Sequence, residues 1–379
     1  MITNLVIEGF KIHKSTKLSL SNLNILTGIN SSGKSSVIQS LLLLRQTFNK
    51  QILSEGLQLQ GDLCNIGLVD DAICQYANED VISIEINERD KHAKWRFKKK
   101  SQIAEQDFLV REKTNNEASD ESNLILFSKK FQYIGASRLA PQESYPLDTN
   151  AVEIRNQISD KNGQCELVVH YLDYYKSKGY QINKALRHPT TDSLNLIDQV
   201  SAWESEISHS VNVIPEKFGK AFLLKYSYYN PTTNMPTKGF SATNVGYGLS
   251  YALPIIVALL TAEKDSLIII ENPEAHLHPS GQAALARLIA KTAQAGVQII
   301  VETHSDHILN GILVASKKFE ECEDGIDKDN VSIFYFAKNE RTQIAEVKPI
   351  KIVGDGKIDT QPVGFFDQTE RDLSFLLGF

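Results

Sequence analysis

At 379 residues, 42% hydrophobic and 23% charged, the chain is long enough for two or three packed units and has a globular rather than a disordered or fibrous composition. A formal net charge of −6 argues against a general polyanion binder, yet it leaves room for a local basic groove, so nucleic acid stays open as a partner. Four cysteines without CxxC spacing, no secretory signal at Met1 and no apolar run of about 18 residues point to a reduced, cytoplasmic protein with no membrane contact.

No repeat of fixed period and no low-complexity tract interrupts the chain. TNLVIEGFKI and STKLSLSNLNILTG alternate as strands do, and SSVIQSLLLLRQTF has the length and residue types of a helix. Leu57 to Asn87 reads as mixed, with DVISIEIN a strand; Glu88 to Asn123 is polar and charged, and FQYIGASR returns to strand. From about Val152 to Ser210, VEIRNQIS, ELVVHYLDYYKSKG and LNLIDQVSAWESEIS read as helices of an inserted lobe, after which KAFLLKYSYYNP reads as a strand leading back to the core. Then follow a helix (YGLSYALPIIVALLTAEK), a strand (SLIIIE), a helix (SGQAALARLIAKTAQAG), a strand (VQIIVET), a helix from about Ser305, a short strand pair and a tail. Strands and helices alternating at this spacing predict an α/β fold with a mixed, largely parallel sheet flanked by helices, preceded by antiparallel hairpins.

The stretch Gly28 to Ser35, GINSSGKS, fits G-x-x-x-x-G-K-[ST] and lies after a strand and before a helix, as a phosphate-binding loop must. Glycines let the backbone wrap an anion, so the amides of Asn30, Ser31, Ser32 and Gly33, together with Lys34, Ser35 and Ser36, are the candidate phosphate contacts. Lys34 would offset charge on the β- and γ-phosphates and Ser35 would hold magnesium. A polar strand-to-helix turn with no ligand is the bland alternative, and the flanking elements count against it.

Such a loop needs acids from another strand end. SLIIIENPEAHLHP reaches Glu271, Asn272 and Glu274 at the end of an apolar run, and VQIIVETHSDH ends at Glu302, Thr303 and His304. Carboxylates at strand C-termini sit where an open α/β sheet binds ligands.

The ordered set GINSSGKSS, TNVGYGLSYALPII, LIIIENPEAHLHP and VETHSDHIL resembles the ABC-type, SMC-like P-loop ATPases of chromosome-maintenance and recombination-repair heads, and most closely the stand-alone AAA-family ATPases of bacterial anti-phage defence operons. IEGFKIHKSTKLSLSNLNILTGINSSGKSS and the terminal PVGFFDQTERDLSFLL look like the same group. The resemblance implies an ABC-ATPase head in two parts, 1–150 and 220–350, around a helical insert, 151–219, with a tail at 351–379. It implies that Asn244, Gly246, Gly248 and Ser250 form the signature segment that meets the γ-phosphate on an opposite copy, and hence an ATP-dependent homodimer. It further implies that Lys11, with Lys14 and Ser15, approaches the nucleotide and that His304 senses the γ-phosphate. By the same resemblance Glu271 is the magnesium-side acid and Glu274 activates water. Two departures stand out: the usual Asp-Glu pair reads Glu271-Asn272, and an amide orients water without accepting its proton; the signature serine reads Asn244. Gln60 is a candidate for the Q-loop glutamine.

Other constellations carry blander readings. Thr303-His304-Ser305-Asp306 cannot form a hydrolytic triad, because sequence neighbours point in different directions. His276 and His278 could join His304 or His307 at a metal, but a structural or interface role fits the segment better. WRFKKK, Trp95 to Lys100, could stack on a single-stranded nucleic acid, or be an exposed strand edge protected by lysines.

The expected function is slow ATP hydrolysis, with ATP and magnesium, in a homodimer that regulates a partner effector such as a nuclease encoded nearby, in anti-phage defence. The residues after His304 look too few for a nuclease domain. The alternatives are a DNA-repair or chromosome-associated ATPase, disfavoured by the lack of a long heptad run, a transporter's nucleotide-binding subunit, disfavoured by the non-standard motifs, and a scaffold that binds ATP without hydrolysing it.

Overall fold

The computed structural model describes residues 1–100, 106–112, 121–230, 232–233, 235–362, 365 and 368–377. Residues 113–120 of the polar segment before Asn123, and 363, 364, 366 and 367 of the tail motif, lie outside the described residues.

The chain opens with the hairpin β1 (Asn4–Phe10) and β2 (His13–Ser19), then β3 (Leu23–Gly28), α1 (Lys34–Asn49), β4 (Gly56–Gln58), a single helical turn α2 (Val69–Ala72), β5 (Val81–Glu88), β6 (Lys91–Lys98) and β7 (Phe108–Arg111). All but β3 form an antiparallel sheet in the order β2-β1-β5-β6-β7-β4. There follow β8 (Phe131–Ile134), β9 (Tyr145–Pro146), α3 (Val168–Ser177), α4 (Leu196–Glu204), β10 (Val211–Phe218), β11 (Ala221–Asn230), β12 (Met235–Pro236) and β13 (Phe240–Ser241). The last part runs α5 (Tyr247–Thr261), β14 (Leu267–Glu271), α6 (Pro279–Gln294), β15 (Gln298–Glu302), α7 (Asp306–Cys322), β16 (Val331–Lys338), β17 (Ala345–Ile350), β18 (Ile352–Val353), β19 (Lys357–Ile358) and α8 (Gln368–Leu377).

The central sheet has the order β17-β16-β3-β15-β14-β8, parallel from β16 through β8 and closed at one side by antiparallel β17. Its inner strands β14 and β15 are buried on both faces, which explains their apolar runs. In β14, Leu267 and Ile269 face a core shared with α1 and the antiparallel sheet, while Ile268 and Ile270 face a second core with α5, α6 and α7. Because β15 lies between β3 and β14, the strand that ends in Glu302 is the immediate neighbour of the phosphate-loop strand.

Three expectations change. The lobe is not purely helical: α3 and α4 pack beside the hairpin β10–β11, and β11 pairs with β9, β10, β12 and β13 instead of joining the central sheet. VEIRNQIS supplies only the end of a short π-helical segment, Asn150–Ile154. WRFKKK is neither a sheet edge nor a stacking platform: β6 is flanked by β5 and β7, and Trp95 and Phe97 are fully buried. Three of its four basic residues pair with acids, Arg96 with Glu79 and Glu112, Lys98 with Glu112 and Lys99 with Asp70. The period-two alternation sends aromatics inward and charges outward, so the aromatic faces are not available to bases.

Between α1 and α5 no described helix exceeds ten residues, so the described residues hold no coiled-coil arm. No described helix is long and apolar enough to cross a membrane.

Candidate functional site

The loop between β3 and α1 takes the shape that its glycines permit. Gly28 has φ 135°, and a Cβ there would lie 2.0 Å from the Phe336 carbonyl oxygen of β16. Gly33 has φ 102°, and a Cβ would lie 2.7 Å from Nε2 of His13. Both positions therefore exclude a side chain on conformational and steric grounds. Asn30 and Ser31 are exposed at the tip, Ser31 with φ 59°, whereas Ser32 is buried and its hydroxyl donates to the Ile29 carbonyl at 2.7 Å. Ser32 thus contributes the closed shape of the loop through its side chain. Ser36 is buried on the first turn of α1.

Lys34 folds back over the loop and its Nζ donates to the carbonyls of Gly28 and Ile29, at 3.0 and 2.7 Å. Burial lowers its pKa and the Glu302 charge opposes that shift. Ser35 is exposed beside it and donates its hydroxyl to Oε1 of Glu302 at 2.8 Å.

The strand ends supply three carboxylates. Glu271 and Glu302 are register partners at the ends of β14 and β15. Both oxygens of Glu271 have protein donors, the Tyr133 hydroxyl at 3.3 Å and the Ala136 amide at 3.2 Å, and burial raises its pKa. Glu274 clasps the turn after β15, accepting from the Thr303 hydroxyl and the His304 amide, each at 2.8 Å. Glu302 has one buried oxygen, Oε2, with no partner. Its pKa is pushed up to about 7, chiefly by burial; Ser35 and Lys34 oppose the rise, and Glu271 and Glu274 add to it. Since Glu302 feels Lys34, Glu271 and Glu274 together, the loop and the three acids occupy one edge of the sheet.

Asn272 has φ 45°, a left-handed conformation that asparagine tolerates better than most residues. Its amide N–H donates to the Glu302 carbonyl at 2.9 Å. Burial, then the Lys34 charge, hold the His304 imidazole below its ordinary range, which keeps it neutral at neutral pH.

Two site residues escaped the sequence reading. His13, buried, bridges Thr16 and the Gly33 carbonyl at 2.9 Å each, and so braces the loop from β2. Arg138 is buried and donates to the carbonyls of Gly135, Glu271 and Asn272 at 2.9, 2.7 and 2.7 Å, fixing the turn after β14. A lone histidine in an alternating strand and an arginine in a loop carry no periodic signal; only the unusual need to bury them could have marked them.

The remaining candidates divide. Lys11, at the β1–β2 turn, donates to Gln39 of α1 at 2.8 Å, whereas Lys14 and Ser15 are exposed on a shallow surface with Asn78 and Arg96. Gln60 turns its amide to the Gly67 carbonyl at 3.3 Å. Asn244 and Gly246 are exposed at the start of α5, and a Cβ on Gly246 would meet nothing within 4 Å. A Cβ on Gly248 would lie 2.9 Å from the His276 carbonyl oxygen, so that glycine serves packing inside the chain. Ser250 differs from the expectation of an exposed contact: it is buried, its hydroxyl sealed from solvent behind the exposed helix start.

His278 caps α6 by accepting from Ser280, and His276 lies against Tyr251 at 4.4 Å between ring centroids. The described residues contain no group of three His, Cys, Asp or Glu arranged to hold a metal. Ser305 caps α7 and is no nucleophile, its hydroxyl oxygen accepting from His307 and Ile308. A magnesium ion carried in with a nucleotide fits a different donor set, the exposed Ser35 hydroxyl beside a carboxylate with one unpartnered buried oxygen.

A model of an AAA ATPase domain matches residues 1–183, and one described as AAA domain, putative AbiEii toxin, Type IV TA system matches 234–310. A third, protein of unknown function (DUF3696), matches 326–376. Endonuclease GajA of Bacillus cereus (strain HuB5-5) is 30% identical over 28% of this chain and 18% of its own, so the match spans less than a fifth of that relative's length. The solved SmcHead bound to the C-winged helix domain of ScpA is 13% identical, covers 93% of this chain and 98% of that one, and superposes with a TM-score of 0.52, a likeness of fold.

Proposed function

We propose that the chain is an SMC-like AAA/ABC-type ATPase head, a reading supported by the AAA models and the fold likeness, and that it binds ATP at the Gly28–Ser35 loop, closes on a second copy across the α5 start, hydrolyses ATP slowly, and thereby regulates a partner effector in anti-phage defence. The observation that carries the reading is the Ser35–Glu302 hydrogen bond, which joins the phosphate loop to the acidic strand ends at one sheet edge.

The residues divide the work by position. The loop amides and the N-terminus of α1 attract the phosphates, and Lys34, released from the Gly28 and Ile29 carbonyls, pairs with their charge. Ser35 with Glu271 forms the proposed magnesium side, and the ion, when bound, would neutralise charge on the β- and γ-phosphate oxygens. At the γ-phosphate end, Glu274 accepts the proton of the attacking water, and its hydrogen bonds to Thr303 and His304 tie that step to the sensor histidine. Asn272 can orient water but not deprotonate it, which suits slow turnover.

Dimerisation is favoured by Gly246. Its φ of −62° suits any residue and its surroundings are open, so nothing inside the chain calls for a glycine there. A surface that must admit another molecule's phosphates does call for one. The defence role rests on the resemblance of the ordered motifs to stand-alone ATPases of anti-phage defence operons, and the nuclease on the partial similarity to GajA, an endonuclease by its name. A partner nuclease, with nucleic acid as its substrate, is the effector proposed here.

The competing reading, an ATP-dependent scaffold that does not hydrolyse, is favoured by Asn272. Steady-state phosphate release separates the two. We expect turnover below about 1 per second for the wild type, a loss of at least tenfold in Glu274→Gln, and no measurable release in Lys34→Ala. Equal, negligible rates in all three proteins would establish the scaffold.

A further inference from the structure

We propose that Glu302 is the second acidic group of the magnesium side, facing the cation next to Ser35 and supplying from β15 the carboxylate that Asn272 does not supply from β14. This deepens the ATPase reading and rests on it.

The argument begins with strand order. Because β15 is inserted between β3 and β14, its last residue borders the loop strand directly: Glu302 is the register partner of Leu26, and the next amide, Thr303 N–H, donates to the Leu26 carbonyl at 3.1 Å. An acid at that position reaches the loop without crossing another strand. Glu302 does so, through the 2.8 Å hydrogen bond from Ser35, the hydroxyl that the loop motif assigns to magnesium.

The partners of the three acids then distinguish them. Glu271 receives Tyr133 and Ala136, one on each oxygen, and Glu274 receives Thr303 and His304 in the same way. Glu302 alone of the three keeps an oxygen that is buried and unpartnered, on a residue only 5% exposed. Leaving a buried carboxylate oxygen unsatisfied is costly unless a ligand completes it. Electrostatics favour the same ligand. Three acids, Glu271, Glu274 and Glu302, share the edge with two cations, Lys34 and Arg138, whose charges act on them, so with all five ionised the edge carries an excess of negative charge. A divalent cation offsets that excess.

If the Ser35–Glu302 bond merely closed the loop, an amide would serve as well, since glutamine keeps the shape and its carbonyl oxygen still accepts from Ser35. The charge is what the two explanations dispute. Titration calorimetry of ATP, once in EDTA and once in excess magnesium, measures it for the wild type, Glu302→Gln and Glu271→Gln. We expect Glu302→Gln to bind ATP in EDTA within about twofold of the wild type and to lose about 10-fold or more of the gain in affinity that magnesium confers. An unchanged magnesium gain overturns the proposal and leaves the ATPase reading standing, whereas a wild type that binds no ATP in either buffer overturns both. Should Glu302→Gln fail to bind in EDTA, Glu302→Asp decides: its carboxylate, drawn back by one methylene, is expected to keep EDTA affinity and lose several-fold of the magnesium gain, and a wild-type gain contradicts the proposal.

Discussion

At the scale of single residues, two glycines show how differently one residue type is used. Gly28 is fixed by the chain itself, since its backbone conformation and the Phe336 carbonyl forbid a Cβ; Gly246 is not fixed by anything within the chain. Buried Glu204 illustrates a cost accepted elsewhere. It ends α4 with both carboxylate oxygens unpartnered, and burial raises its pKa well above the ordinary range. Burial thus favours the neutral form in the fold over the unfolded chain. A raised pKa contributes stability that is full below the ordinary carboxylate range and lost as pH rises toward the folded value, by about 1.4 kcal/mol per unit. Replacing it with glutamine removes that slope. Denaturant unfolding should find Glu204→Gln gaining on the wild type as pH rises above the ordinary carboxylate range; a constant difference would mean that Glu204 has a partner at high pH.

At the scale of elements, β14, β15 and α6 were readable because periods, apolar runs and, at α6, the cap agree there, and α5 was readable from its apolar run despite Pro254 inside it. The β11 strand was read as a strand and misplaced, because period two says that a strand has two faces and says nothing about which sheet holds it. WRFKKK misled for a related reason: charges at every second position look like an exposed edge until neighbours on both sides are known. Ser250 lay in a motif whose order along the chain was recognisable, yet the helix turns it to the interior one turn after the exposed Gly246. The neighbourhood of Glu302 was hidden too, since only the strand order reveals that β15 borders β3. The exposed start of α5 gives a prediction of its own. Gly246→Asp should leave the melting temperature within about 2 °C of the wild type, because the side chain enters open space. Its carboxylate would nonetheless repel the phosphates of an opposing copy, so ATP-dependent association should vanish. Retained association would remove α5 from the proposed interface.

At the scale of the whole molecule, the chain carries a glycine-rich loop joined to a cluster of acids, and an open helix start, on a fold like that of the solved SmcHead, without a described coiled-coil arm. The loop and its acids come from distant parts of the chain, joined only when the central sheet forms. ATP would then act as the joint between two copies, and hydrolysis would be the event that releases it. Light scattering of Glu274→Gln across an ATP and magnesium titration tests this most directly, because glutamine can still bridge Thr303 and His304 while its amide no longer accepts the water's proton. The mass should double with ATP and magnesium and return to that of one chain when EDTA is added or when Lys34→Ala is combined with it; a mass that stays at one chain at saturating ATP would contradict the account.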